Sequence, residues 1–253
     1  NLMMAARLGS PLVIGHGDGE MYLGSDAIAL APFTDTVTYL EEGDYAVLRR
    51  SGAEIYDRAG NHVTRPAIKS QANALIVDKG NHRHFMAKEI YEQPEVISHT
   101  LANYLDMAEG LVRIPEIGLD LRAIPRITIS ACGTAYYAGL VAKYWIERYA
   151  RVPVEIDVAS ELRYREAPLP PGGLAIFISQ SGKPADTLAT LRYCKENGQR
   201  IASVVNVRTS TIARESDVVL PTLAGPEIGV ASTKAFTCQL TALACFALAL
   251  ARA

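Results

Sequence analysis

Three short clusters of small and hydroxyl-bearing residues carry the chemistry that can be read in this chain: Cys132-Gly133-Thr134, Ser179-Gln180-Ser181-Gly182 and Ala231-Ser232-Thr233-Lys234. A Ser or Thr hydroxyl donates to a phosphate oxygen without adding bulk, and glycine lets the backbone come close to a ligand. The unpaired N–H groups of a helix N-terminus add partial positive charge. Together these features describe a cradle for an anion. The same residue types are also ordinary N-caps and turn formers, so it is their recurrence that favours a site.

What the chain lacks limits the reaction. All five histidines, His16, His62, His82, His84 and His99, lie in the first hundred residues. A general base near the three clusters must therefore be a carboxylate, a lysine or a group from another segment. His82 and His84 flank Arg83 without a carboxylate or cysteine cluster at ligand spacing, so no metal site is expected there. Cys132, beside a helix start, could be an activated thiol, but with no histidine following it the reading is a structural cysteine. Gly15-His-Gly-Asp-Gly19 has the glycines of a phosphate loop but lacks the Lys-Ser/Thr of a P-loop and precedes the β-like Glu20-Met-Tyr-Leu23, so it reads as a tight strand connection.

The elements that must position the clusters follow from periodicity. From residue 126, apolar runs of strand length alternate with helical patterns, which predicts a parallel sheet covered on both faces. The strands are Ile127–Ala131, Val154–Val158, Leu174–Ile178, Ile201–Val205 and Asp217–Leu220, and helices fall near 134–150, 160–166, 184–197, 208–215 and 232–251. In such a sheet ligands sit beyond the carboxyl ends of the strands, so the first two clusters face one pocket that the third can close. Residues 1–65 alternate short β patterns with turns: Pro11–Gly15, Thr36–Leu40, Asp44–Leu48 and Ala53–Tyr56, an antiparallel piece. Residues 66–86 show little periodicity and read as a linker. A helical pattern then runs from Lys88 to Leu101, broken or kinked at Pro94.

Composition narrows the class. With 25 Lys+Arg against 27 Asp+Glu, a charge-driven nucleic-acid partner is excluded, and 49% hydrophobic residues provide for one or two real cores. Cys132, Cys194, Cys238 and Cys245 show no CxxC spacing, which points to a reducing compartment and a cytoplasmic enzyme. The apolar run Leu240–Ala251 is shorter than the roughly 20 residues a bilayer demands, so it reads as a buried helix and no membrane partner is expected. The N-terminus lacks a signal-peptide pattern, and Asn1 is not an initiator methionine, so the chain is expected to begin inside a longer protein.

Longer strings carry a resemblance. Gly9-Ser-Pro-Leu-Val-Ile-Gly15, Leu40-Glu-Glu-Gly-Asp44, Asp78-Lys-Gly80 with His84-Phe-Met-Ala-Lys-Glu-Ile-Tyr-Glu-Gln-Pro94, Ala131-Cys-Gly-Thr134, Ser179-Gln-Ser-Gly182 and Glu227-Ile-Gly-Val-Ala-Ser-Thr-Lys-Ala-Phe-Thr237 resemble glutamine:fructose-6-phosphate amidotransferase, also called glucosamine-6-phosphate synthase. The resemblance runs through essentially the whole chain. It implies an α/β fold: a five-stranded parallel sheet of the sugar-isomerase (SIS) type flanked by helices, preceded by an antiparallel β-rich remnant of an N-terminal-nucleophile glutaminase. The implied division is residues 1–70 as the end of the glutaminase domain, 71–87 as linker and 88–253 as the first SIS domain.

The resemblance also implies a ligand. Cys132, Gly133 and Thr134 would surround the sugar of fructose 6-phosphate or glucosamine 6-phosphate, Ser179, Gln180 and Ser181 the sugar and phosphate, and Val230 and Ser232 the rim. No cofactor, metal or catalytic residue is expected within the chain. The family's N-terminal nucleophilic cysteine has no counterpart before Cys132, and its isomerase residues lie in a second SIS domain. The fragment is therefore expected to be inactive alone, to meet glutamine only through residues it does not contain, and to form a homodimer. Ala135 stands where many members have serine, and Lys183-Pro184 where they have Glu-Thr, which removes two hydroxyls from the phosphate side. The alternatives are a non-catalytic SIS-type phosphosugar-binding module and a unit that only folds or dimerises.

Overall fold

A computed structural model describes residues 2–9, 11–70, 79–114, 120–182, 184–208 and 210–253. The chain divides into two compact units, one ending at Gly80 and the other spanning Asn81–Ala253.

The first unit contains β1 (Met3–Ala6), β2 (Val13–His16), β3 (Met21–Gly24), α1 (Ala27–Leu30), β4 (Thr36–Tyr39), β5 (Tyr45–Arg49), β6 (Gly52–Tyr56), β7 (His62–Val63) and β8 (Ala67–Lys69). These form two four-stranded antiparallel sheets, in the orders β1-β5-β6-β7 and β3-β2-β4-β8. Successive side chains of a strand point to opposite faces, and β2 shows the consequence. Val13 packs with Ala27, Leu30 and Val37 on the α1 side, while Ile14 joins Leu40, Ala46, Leu48 and Ile55 between the sheets. The glycine-rich 15–19 stretch is indeed a strand connection, joining β2 to antiparallel β3, with the Gly17 N–H donating to the Glu20 carbonyl at 3.0 Å. One expectation changes: Ala67–Lys69 of the supposed linker is a strand paired with β4. All three of its side chains are exposed, so it is held by main-chain bonds and leaves no hydrophobic alternation to read.

The second unit contains α2 (Phe85–Ala102), β9 (Leu105–Asp106), β10 (Leu111–Val112), β11 (Ile127–Ala131), α3 (Gly133–Trp145), β12 (Val154–Val158), α4 (Ala159–Leu162), β13 (Leu174–Ser179), α5 (Ala185–Glu196), β14 (Arg200–Val205), α6 (Thr211–Glu215), β15 (Val218–Pro221) and α7 (Lys234–Arg252). The five expected strands form one parallel sheet in the order β12-β11-β13-β14-β15. Alternation divides its side chains between two cores. Ile127, Ile129, Ile176, Ile178, Ala202 and Val204 pack against α3 and α7, whereas Ala175, Phe177, Ile201 and Val205 pack with Leu162, Leu191, Cys194 and Ile212 from α4, α5 and α6.

Several helices differ from their patterns. The stretch expected as one helix near 134–150 changes at Ile146 to a five-residue wide turn, closed by Arg151 in the left-handed region at φ 59°. The helix expected at 160–166 stops at Leu162, and that near 208–215 begins at Thr211. Pro94 does not break α2, which runs from Phe85 to Ala102. Proline's missing N–H orphans the carbonyl four residues earlier, and the Gln93 side-chain amide donates to that Ile90 carbonyl at 3.0 Å. Among the described residues α7 is long and apolar enough to cross a membrane, but more than half of that stretch is buried inside the protein and it packs on α2 and α3. The Leu240–Ala251 run therefore occupies the core position expected of it.

Candidate functional site

Strand order creates the site. The chain moves from β11 to β12 on one side and then crosses back over β11 to reach β13. The helices that follow the adjacent strands β11 and β13 therefore cover opposite faces of the sheet, α3 with α7 on one and α5 on the other. Their N-termini diverge and leave a crevice at the carboxyl ends of the two strands, the usual ligand position of open α/β sheets. A cavity of about 260 Å³ lies there.

Seven of the eight residues singled out from sequence line this cavity: Cys132, Thr134, Ser179, Gln180, Ser181, Val230 and Ser232. The eighth, Gly133, is not on its wall; it opens α3 directly after the N-cap residue Cys132. Ala135 and Pro184, the two positions where the resembling family has a hydroxyl, also line the cavity. Pro184 is the N-cap of α5 rather than its first helical residue, and it makes no side-chain capping bond. Lys183 lies outside the described residues.

The turn after β13 is fixed from inside. The Gly182 N–H donates to the buried Ser179 hydroxyl at 3.0 Å. Gly182 adopts φ 65°, and a Cβ there would lie 2.0 Å from the Ser210 hydroxyl, so both backbone conformation and space require glycine. This close approach shapes the loop that presents Gln180 and Ser181.

The rim between β15 and α7 is held by residues that the sequence reading did not single out as site residues. Glu89 on α2 is 2% exposed, and its carboxylate accepts from the Ile228 N–H at 2.5 Å and from the Gly229 N–H at 3.0 and 3.2 Å. A Cβ on Gly229 would lie 2.4 Å from Glu89 Oε2, so this bond requires a bare backbone. Glu227, itself on the cavity wall, accepts from the Thr233 and Ala235 N–H groups at 2.7 and 3.1 Å and from the Ser232 hydroxyl at 2.9 Å. It caps α7, whose positive end favours a carboxylate. Ser232, expected to face the ligand, thus commits its hydroxyl proton to Glu227. The buried Lys234 ammonium pairs with Glu92 of α2 at 2.6 Å. On the neighbouring side, Asn206 ties down the loop after β15 by donating to the Gly225 carbonyl at 2.7 Å and accepting from the Ala224 N–H at 3.0 Å. A carboxylate shortly before an apolar helix was the available signal for Glu227. Glu89 and Glu92 lie some 140 residues from their partners, and no local signal marks them.

The thiols sort by burial. Cys194, Cys238 and Cys245 are buried, and desolvation pushes the Cys194 thiol up to about 12 and raises the other two. Cys132 alone among the four is partly exposed, on the cavity wall. Among the described residues no cluster of His, Cys, Asp and Glu could hold a metal ion.

Comparison with known proteins agrees with this geometry. Residues 120–249 match the family model described as SIS domain. Over its whole length the chain is 67% identical to a glutamine--fructose-6-phosphate aminotransferase [isomerizing] of Brucella abortus biovar 1 and 62% identical to that of Zymomonas mobilis subsp. mobilis. It spans 42% of the length of each. Among solved structures it resembles the C-terminal domain of glucosamine-fructose-6-phosphate aminotransferase from Francisella tularensis, at 48% identity and a TM-score of 0.66, covering 69% of this chain and 49% of that one. The parallel sheet, its crevice and these matches together make the chain a member of the SIS domain family.

Proposed function

We propose that the cavity at the ends of β11 and β13 binds a phosphosugar, fructose 6-phosphate or glucosamine 6-phosphate, as part of an amidotransferase that makes glucosamine 6-phosphate and glutamate from fructose 6-phosphate and glutamine. The observation that carries this reading is the hydroxyl-lined crevice itself, in a chain whose relatives bear the aminotransferase name. Thr134, Ser179, Gln180 and Ser181 serve the sugar phosphate, Cys132 and Gly133 shape the sugar end, and Val230 and Ser232 form the rim. The helix N-termini supply N–H donors and partial positive charge for the phosphate.

The proposed domains are a glutaminase remnant over residues 1–70, a linker over 71–87 and the first SIS domain over 88–253. The match to aminotransferases over the whole chain, antiparallel unit included, favours this fragment over a free-standing phosphosugar-binding module. These 253 residues bind without turning over either substrate: no histidine follows His99, and the cavity wall carries Glu227, whose carboxylate is occupied in capping α7. Glutamine is met only outside this chain. A homodimer and a cytoplasmic location belong to the same reading.

Calorimetry tests it. Fructose 6-phosphate should bind the chain and unphosphorylated fructose should not, Ser181→Ala should weaken binding, and Ala135→Ser with Pro184→Thr should tighten it. A charge-assisted hydrogen bond contributes about 1.5–3 kcal/mol, so each restored hydroxyl corresponds to roughly tenfold or more in affinity. Equal affinity for fructose and its phosphate would overturn the assignment.

A further inference from the structure

One polar residue on the cavity wall has a buried oxygen with no partner among the described residues. Gln239 sits in the second turn of α7, is 2% exposed and lines the cavity beside Ala135, Ile178 and Thr187. Its amide oxygen Oε1 is buried and has no hydrogen-bond partner among the described residues. Other buried polar groups at or near the cavity are satisfied from within: Ser179 accepts from Gly182, Glu89 accepts from Ile228 and Gly229, and Lys234 pairs with Glu92. Folded proteins leave few buried polar atoms unpaired, because each forfeits its bonds to water, and an amide in an otherwise apolar helix face is costly to keep without use. Leu243 and Phe246, further along the same helix, show the apolar packing available to this element.

We infer that Gln239 reads the sugar portion of the ligand, accepting a hydrogen bond from a sugar hydroxyl while the turn after β13 holds the phosphate. This inference rests on the phosphosugar reading of the cavity and assigns a specificity residue within it. The chemistry separates the two parts of the ligand. A primary amide is neutral and carries both donor and acceptor, which complements a hydroxyl, also both donor and acceptor, and supplies no charge to a phosphate. The terminal torsion of glutamine is broad, so the amide turns its oxygen toward an entering hydroxyl at little cost. A site built this way rejects an analogue lacking the hydroxyl, because the amide is then left buried and unpaired.

The test titrates the 253-residue chain by calorimetry with fructose 6-phosphate and, separately, with inorganic phosphate. Gln239→Met keeps an unbranched side chain of similar length without hydrogen-bonding groups. It should lose about fivefold to tenfold in fructose 6-phosphate affinity, the worth of one neutral hydrogen bond, and leave phosphate affinity within about twofold. In the unaltered chain, the Gln239 side-chain amide protons followed by NMR should shift with fructose 6-phosphate and stay in place with phosphate, a readout that stands even if the variant fails to fold. Unaltered fructose 6-phosphate affinity in the variant, or amide protons that ignore the sugar phosphate while it binds, would overturn the role of Gln239 and leave the phosphosugar reading intact. Failure of the unaltered chain to bind fructose 6-phosphate at all would overturn both.

Discussion

Replacing Glu89 by Gln removes one oxygen's charge without changing shape, and its effect can be worked out from the geometry of the rim. The carboxylate accepts from two backbone N–H groups, Ile228 and Gly229, at 2.5–3.2 Å in a setting that is 2% exposed. A bond to a charged acceptor contributes about 1.5–3 kcal/mol and one to a neutral acceptor about 0.5–1.5. Glutamine keeps one neutral acceptor and turns amide donors toward the remaining N–H, so Glu89→Gln should cost about 2–4 kcal/mol. In a unit of this size each kcal/mol moves the melting temperature by about 2–4 °C, giving a fall of roughly 4–16 °C in the transition of the α/β unit. Differential scanning calorimetry reads it. Because the released loop carries Gly229 and Val230 on the cavity wall, fructose 6-phosphate binding should weaken in the same variant. A variant melting within about 1 °C of the unaltered chain and binding equally well would refute the claim that α2 positions this rim.

Gly182→Ala combines a left-handed φ of 65° with a Cβ 2.0 Å from the Ser210 hydroxyl, so urea denaturation should show a loss of at least about 2 kcal/mol; a loss under about 0.5 would contradict the packing. In the antiparallel unit, the Arg65 guanidinium beside Asp44 holds its carboxyl below the ordinary carboxylate range, against the opposing effect of burial. A depressed folded pKa contributes stability that is present above the unfolded value, about 3.9, and is lost as pH falls through the folded one. Asp44→Asn should therefore melt lower than the unaltered chain at pH 7, with the gap narrowing below about pH 4; a gap independent of pH would count against the pair. Iodoacetamide should modify one of the four cysteines of the folded chain, Cys132 by mass spectrometry, and fructose 6-phosphate should slow it; rapid labelling of Cys194, whose thiol is pushed up to about 12, would show that the core is not as described.

Local chemistry made the parallel sheet readable. The inner strands Leu174–Ser179 and Arg200–Val205 are nearly continuous apolar runs because both faces are buried, while the edge strand Val154–Val158 carries Glu155 and Asp157 and is half-buried. The hydroxyl clusters after β11 and β13 were visible for the same reason: turn and cap residues stand out against apolar runs. Elements with no apolar period were not visible. Met3–Ala6 forms an edge strand whose side chains are mostly exposed, and Ala67–Lys69 exposes all of its own, so only the partner strands define them. Helix ends moved where packing, rather than propensity, decides, as at Leu162 and Ile146.

The sequence by itself determined which residues end up at the carboxyl ends of strands, since that depends only on where an apolar run stops and a Gly/Ser/Thr turn begins. It could not determine that β11 and β13 are neighbours. That adjacency arises because the chain leaves β11 for β12 on one side and crosses back over β11 to β13 on the other, which sends α3 and α5 to opposite faces and opens the crevice. Nor could it bring Glu89 to Gly229 or leave the Gln239 oxygen unpaired. Contacts over more than a hundred residues depend on which faces the helices bury, and that is fixed only when the sheet is assembled and the helices pack on it.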